Sequence, residues 1–460
     1  MKHLNASRRE FLRNASALSM AGVATPFALN LASIGAASGQ AADYKALVCV
    51  FLYGANDAHN TVVPFDDASY APYAAARPTL RWDKSIPTEL QVLAPTAGLP
   101  AGKQLALPAQ LAGIKTLFDQ GRCAIVSNVG PLIEPTNRTQ YLARSVLLPP
   151  KLFSHNDQQS VWQASAPEGA RFGWGGRIGD LLASRNTTSA LTCMSPSGNA
   201  VFLSGTTVQP FQFDATTGAI AFNALTSSTL FGSTTSGAVL RNSLRRTRTH
   251  LFEGELANVN NRSITINSQL ATALAAQPPL TTLFPSNNSL GSQLSMAARM
   301  IAVRGALNMQ RQVFFVSQGG FDTHAAQDTG HPGLLTSVND ALAAFYQATV
   351  ELGIASSVTT FTASDFGRTL VENGDGTDHG WGSHHFVIGG AVNGNRVFGT
   401  YPELALNGAQ DAGNGRLIPT TAVEQYAATF ATWMGVSSTD LPIILPNLPN
   451  FAPNNLGFMA

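Results

Sequence analysis

Ala46-Leu47-Val48-Cys49-Val50-Phe51-Leu52, followed at once by Tyr53-Gly54-Ala55-Asn56-Asp57-Ala58-His59-Asn60, is the stretch that decides the fold. Seven apolar residues in an unbroken run have no polar face to offer to water, so they suit a strand covered on both sides, as in the interior of a parallel sheet. The burst of Gly and polar residues behind them marks the strand end. The same construction recurs along the chain. Residues 123–126 precede Ser127-Asn128-Val129-Gly130, residues 312–316 run into Gln318-Gly319-Gly320-Phe321-Asp322-Thr323-His324, and residues 358–362 run into Ala363-Ser364-Asp365-Phe366-Gly367-Arg368. A fifth run, 385–388, has its polar cluster in front: Thr377-Asp378-His379-Gly380-Trp381-Gly382.

Between the runs, apolar residues return at helical spacing. Leu111, Ile114, Leu117 and Phe118 predict one helix over 111–118, and Met296, Ala297, Met300 and Ile301 predict a second over 294–307. Leu335, Val338, Leu342, Phe345 and Tyr346 predict a third over 334–352. Strands alternating with helices predict an α/β sandwich, in which ligands sit at the carboxyl ends of the strands. Residues about 182–289 break the alternation. This part is rich in Ser, Thr, Asn, Gly and Ala, with β-like pieces at 200–203 and 208–213 and a basic helix-like stretch at 240–252. It reads as an insertion or cap, with 277–288 as loop or linker.

The amino terminus carries a different signal. Ser7-Arg8-Arg9-Glu10-Phe11-Leu12 stands before a moderately apolar stretch, 15–37, and a run of small residues ahead of Asp43. Paired arginines before a weakly hydrophobic segment predict a twin-arginine secretion signal over 1–42, cleaved after Ala41 or Ala42. The mature chain, 43–460, is then periplasmic or secreted, with the twin-arginine export machinery as a partner. Gly22, Pro26 and Gly35 interrupt the apolar run before it reaches the length of a stable membrane span. Charged residues are only 12% of the chain and the formal net charge is +1, which gives no hint of a nucleic-acid partner. Cys49, Cys123 and Cys193 are too few for a disulfide scaffold and read as buried thiols.

Six of the nine histidines, His59, His155, His324, His379, His384 and His385, lie in or beside the Gly-rich polar clusters. Asp57, Asp157, Asp322, Asp365 and Asp378 accompany them. Carboxylates and imidazoles at neighbouring strand ends converge on one rim of a sheet, which a divalent-metal site of mixed oxygen and nitrogen ligands requires. Each Asp taken alone reads more readily as an Asx turn or helix cap than as a ligand. His384 and His385 are adjacent, so on a strand only one could face a site. His331, before Pro332, reads as a helix-start or surface residue. Arg368 reads either as an anion contact or as a bridge to Asp365 or Glu372. Ser154 precedes a helical run, so it is an N-cap or, beside the free amides of a helix start, a nucleophile. No Gly-x-Ser-x-Gly elbow supports a lipase-type triad.

Phe-Leu-Tyr-Gly-Ala-Asn-Asp at 51–57, Ser-His-Asn-Asp-Gln at 154–158, Gly-Gly-Phe-Asp-Thr-His at 319–324, Ser-Asp-Phe-Gly-Arg-Thr at 364–369 and Gly-Thr-Asp-His-Gly-Trp-Gly at 376–382 occur in that order. With the twin-arginine start, the set resembles the exported bacterial family catalogued as domain of unknown function 1501. That family looks like a distant member of the alkaline phosphatase and sulfatase superfamily. The resemblance implies a three-layer α/β/α sandwich and a divalent metal, one or two ions, held by Asp57, Asp322, His324, Asp365 and His379. It places Ser154 as nucleophile; His155 and Arg368 are the candidates for contacting the substrate anion. The chain departs from the superfamily pattern, which has Asp-His where this sequence has Asp365-Phe366, so one imidazole is missing. One metal, or a ligand reassigned to His155, His59 or Asp378, stands beside the two-metal arrangement. The formylglycine pattern Cys-x-Pro-x-Arg is absent at all three cysteines. The expected activity is hydrolysis of a phosphate or sulfate ester of a small molecule or glycan. The rivals are a non-catalytic exported binding or assembly protein for a polysaccharide or cell-surface complex, and a carbohydrate esterase.

Overall fold

A computed structural model describes residues 43–220, 229–246 and 248–460. The expected secretion signal, 1–42, lies outside the described residues. The chain divides into Met1–Tyr44 and one compact unit, Lys45–Ala460. Its strands, in chain order, are β1 Lys45–Leu52, β2 Val63–Pro64, β3 Leu90–Val92, β4 Leu105–Pro108, β5 Cys123–Gly130, β6 Cys193–Ser195 and β7 Phe211–Gln212. They continue with β8 Arg311–Gln318, β9 Val358–Ser364, β10 Arg368–Glu372, β11 Thr377–His379, β12 Ser383–Gly389, β13 Val397–Phe398 and β14 Thr421–Ala422.

A nine-stranded sheet in the order β13-β5-β12-β9-β1-β8-β6-β7, with β14 also on β5, forms the centre of an α/β fold. β1 lies between β8 and β9 and runs parallel to both, Val48 opposite Phe314 on one side and Thr360 on the other. β1 is buried on both faces apart from Lys45, as an unbroken apolar run demands. On one face Leu47, Cys49 and Phe51 join Phe315 and Phe361 in a core with Trp174, Ile178, Tyr426 and Phe430, which come from the helices Trp174–Leu182 and Val423–Met434. Val48, Val50 and Val316 point the other way and are equally buried. The helices Ala112–Asp119, Ser289–Ala302 and Gln327–Glu351 pack with one another and with the sheet on that side. The three-layer expectation therefore holds.

Two expectations change. β12 runs antiparallel to both β5 and β9, so it is not one more parallel strand. Reversal explains its inverted sequence pattern: the polar cluster in front of β12 reaches the same rim as the clusters that follow β1, β8 and β9. The stretch read as an insertion from 182 contributes β6, parallel to β8, and β7, parallel to β6, to the sheet edge. Strands of three and two residues are too short to show a period in the sequence. Beyond them the described part of this stretch holds two helices, Ser236–Arg245 and Leu251–Ala276. No described helix is long and apolar enough to cross a membrane. Cys49, Cys123 and Cys193 are all free and buried, and burial pushes each thiol pKa up.

Candidate metal centre

The loops after β1, β8 and β9 are tied to one another before any site residue is placed. Ser364 donates from Oγ to the Leu52 carbonyl at 2.6 Å and accepts from the Asn56 amide at 2.9 Å. Gly54 has φ +107°, and a Cβ there would stand 2.4 Å from the Asp322 amide nitrogen, so only glycine lets the two loops approach. Gly54 also gives its N–H to Asp365 Oδ2 at 3.2 Å. Asp322 and Asp365, separated by 43 positions in sequence, are thereby fixed at one rim.

Three imidazoles meet there. His155 opens the helix His155–Ala164 and comes up beside β9; His324 follows β8; His379 closes β11 in the hairpin with β10. His379 Nε2 lies 3.1 Å from His155 Nε2 and 2.9 Å from His324 Nε2. Asp322 completes the group, its carboxylate oxygens 3.0 Å from His324 Nε2, 3.3 Å from His379 Nε2 and 3.5 Å from His155 Nε2. The donor atoms of His155, Asp322 and His379 all fall within 4.8 Å of one another.

The opposite ring nitrogens are held from behind. His155 Nδ1 bonds Asp365 Oδ2 at 2.6 Å, His379 Nδ1 bonds the Phe153 carbonyl at 2.7 Å, and His324 Nδ1 faces Asp378 Oδ1 at 3.4 Å. A carbonyl can only accept, so His379 carries its proton on Nδ1 and presents a bare Nε2. Carboxylates behind His155 and His324 favour the same tautomer. Two bare imidazole nitrogens 3 Å apart repel unless a proton or a metal cation lies between them. Ligands around a tetrahedral ion at about 2.0–2.1 Å stand about 3.4 Å from each other. The separations within the trio His155, Asp322 and His379 lie near that edge, so these three residues fit a divalent ion, with His324 outside the trio and against His379 and Asp322.

Charge supports the arrangement. Burial raises the Asp322 carboxyl pKa, but the hydrogen bond and charge of Arg368, with His155 and His324, hold it below the usual range. His155 is raised by its hydrogen bond to Asp365, and His379 is lowered by burial. Phe153, whose carbonyl orients His379, and Lys151 both adopt left-handed backbone, φ +70° and +46°. Such conformations in non-glycine residues cost energy and mark a segment that the surrounding fold holds in place.

The other expected site residues fall as follows. Asp57 is not in the group: both its oxygens are taken by buried Arg77, at 2.5 and 3.0 Å, with Gln327 Nε2 at 2.5 Å. Asp365 stands behind His155, its Oδ2 also accepting from Gln159 at 2.9 Å, rather than in the ring of nitrogens. Arg368 is buried, with four of its five N–H donors engaged by Asp322 at 2.6 Å, Thr377 Oγ1 at 3.2 Å, the Thr377 carbonyl and the Gly54 carbonyl at 3.3 Å. It bridges Asp322, neither Asp365 nor Glu372. His155, expected against the anion, joins the nitrogen ring instead. Ser154 is the residue before the helix start, but its hydroxyl donates to Asp157 Oδ2 at 2.9 Å and caps no amide.

Among the remaining histidines, His384 accepts the Asn128 amide at 3.0 Å and stacks on Tyr401, while His385 packs against Trp162. Neither reaches the rim group. His331 is a correction: it is 1% exposed and bonds Asn56 at 3.0 Å, because its helix begins at Gln327, ahead of the expected start at 334. Arg77 had no signal at all in the sequence, standing alone before Pro78. An unmatched Asp in a buried strand-end loop is the sole hint that such a partner exists.

The fold and the site define a mainly parallel α/β protein with a cation-competent group, His155, Asp322 and His379, at the carboxyl rim of its sheet. The chain belongs to the family described as "Protein of unknown function (DUF1501)", whose model matches residues 44–431. No curated protein matches it. Solved structures overlay loosely. The lipoteichoic acid synthase LtaP from Listeria monocytogenes is 10% identical, with TM-score 0.32 over 86% of this chain and 74% of LtaP. Ps i-CgsB in complex with k-i-k-neocarrahexaose is 9% identical, with TM-score 0.35 over 90% and 77%. A protein described with the metabolism of multiple glycosaminoglycans by Bacteroides thetaiotaomicron is 8% identical, with TM-score 0.34 over 88% and 76%. At these values the overlays carry no argument about what this chain does.

Proposed function

We propose that this protein is an exported, metal-dependent hydrolase of a phosphate or sulfate ester. The observation that carries the reading is the convergence of the Nε2 atoms of His155, His324 and His379 on Asp322, with each opposite nitrogen facing an acceptor. Imidazole-rich donor sets suit zinc better than magnesium or calcium. One ion satisfies the group, since Arg77 already neutralises Asp57. A divalent cation here would polarise a phosphoryl or sulfuryl oxygen and offset charge as the ester bond breaks. The chain's own residues do the rest. Asp365 and the Phe153 carbonyl fix the rings, and Arg368 orients Asp322. Ser154 Oγ attacks the phosphorus or sulfur as Asp157 takes its proton, the ester P–O or S–O bond breaks and the alcohol leaves with that proton, and water then hydrolyses the seryl ester to free Ser154. Export follows from the paired arginines at Arg8 and Arg9.

Elemental analysis of the purified chain, with turnover of an aryl phosphate and an aryl sulfate before and after chelation, tests the reading. About one equivalent of transition metal and chelator-sensitive turnover are expected. A metal-free, inert chain refutes it. Metal without turnover of any ester, unchanged by Ser154→Ala, leaves the non-catalytic binding protein in its place.

A further inference from the structure

Large apolar side chains gather on the surface far along the sequence from the rim residues. Phe231 is 95% exposed, Leu251 79% and Phe252 78%, and Val239, Leu256 and Val259 are also exposed. Phe252, Leu256 and Val259 recur at i, i+4 and i+7, one stripe on the first turns of the helix Leu251–Ala276. The other end of that helix is anchored, with Leu270 and Leu274 buried and Asn267 donating to the Ile220 carbonyl at 2.8 Å. The apolar end is thus presented by a fixed element.

Charge around it is predominantly positive. Residues 236–262 contain Arg241, Arg245, Arg246, Arg248 and Arg262 against Glu253 and Glu255, in a chain whose net charge is only +1, and Glu255 is paired with Arg262. Arg245, Arg246 and Arg248 are exposed. A soluble polyanion would account for the arginines but not for Leu251 and Phe252 in water. A second copy would cover the apolar stripe but bring two arginine clusters together. An anionic lipid surface accounts for both, since headgroups attract the arginines and the acyl boundary takes the apolar side chains.

We propose that the arm formed by Ser236–Arg245 and the first turns of Leu251–Ala276 docks the protein peripherally on a membrane rich in anionic phospholipid. It lies on the bilayer and does not cross it.

Sedimentation of the purified chain with vesicles tests this, using phosphatidylcholine alone and mixed with phosphatidylglycerol. Binding to the mixed vesicles should exceed binding to phosphatidylcholine by at least about tenfold at low salt. Arg245→Gln, Arg246→Gln and Arg248→Gln together should weaken it on the order of a hundredfold and flatten its salt dependence. Leu251→Ser, Phe252→Ser and Leu256→Ser together should weaken it by at least about tenfold even at low salt. All three proteins share the same amino terminus, so differences among them report on the arm. Absence of preference for phosphatidylglycerol overturns the proposal. So does full binding by the serine variant, which would point to a polyanion site, or a lipid-independent dimer that this variant disperses.

Discussion

Asp57 and Asp322 follow neighbouring parallel strands of one sheet, yet their surroundings have opposite characters. Asp57 is fully buried against Arg77, which is itself fully buried. Asp322 is almost half exposed and faces three imidazoles. Two carboxylates at equivalent strand ends do not therefore have equivalent chemistry. The first holds the loop after β1 to the Arg77 segment. The second is free to meet a ligand from solvent. Histidines divide in the same way. His59, His331, His384 and His385 are buried, with pKa values pushed down by burial to about 3, 4, 3 and 3. His155, His324 and His379 stand at the rim with their nitrogens oriented.

The contrast can be broken most severely at Arg77. Arg77→Met leaves Asp57 charged and unpaired in the interior and should cost about 3–5 kcal/mol, read by urea unfolding. Metal content per folded chain should stay unchanged. Loss of the metal at unchanged stability would reverse the assignment of the two aspartates.

Acid should expose the interior set next. Unfolded histidines take a proton near pH 6.5, whereas the four buried ones stay neutral in the folded chain down to about pH 3–4. The unfolded state thus binds more protons in that window, and stability falls as pH drops, by roughly 1 kcal/mol per histidine between pH 6.5 and 5.5. Glu424 opposes this: burial raises it to about 7, so it is protonated in the folded chain and contributes stability below pH 4.5 that is lost as pH rises through 7. The net expectation is a loss of roughly 3 kcal/mol over that unit. A flat urea midpoint from pH 6.5 to 5.5 would contradict the burial of these rings.

At the rim the effects should fall on the proposed metal. His379→Ala removes the nitrogen closest to both other rings and should lower zinc affinity by more than about 100-fold, measured by competition with a chromophoric chelator. Its effect on the urea midpoint should be small. Asp365→Asn keeps the group's size but weakens the hold on His155 Nδ1, and should cost about 10–100-fold in zinc affinity. If Asp365→Asn proves as damaging as His379→Ala, Asp365 is itself a ligand.

Much of this was legible in the sequence. The strands at β1, β5, β8 and β9 followed from unbroken apolar runs, because a strand covered on both faces has only one way to be written. The clustering of Asp322, His324, Asp365 and His379 followed from polar bursts at strand ends. Reversal of β12 was legible only in outline, as a polar cluster on the wrong side of its run. Arg77 was invisible. It lies 20 residues from Asp57 and nearly 300 from the Leu370 carbonyl it also bonds. Nothing local records such a partnership.

The sequence by itself determined which residues are buried in strands and which bear chemistry at their ends, since hydrophobic patterning acts locally. Only the tertiary structure decided what each Asp and His does. Whether a carboxylate is a ligand, a ring holder or half of a buried ion pair depends on which distant group enters its few ångströms of space. For Asp57 that group is Arg77, and for Asp322 it is the imidazoles of His155 and His379, which join the neighbouring His324.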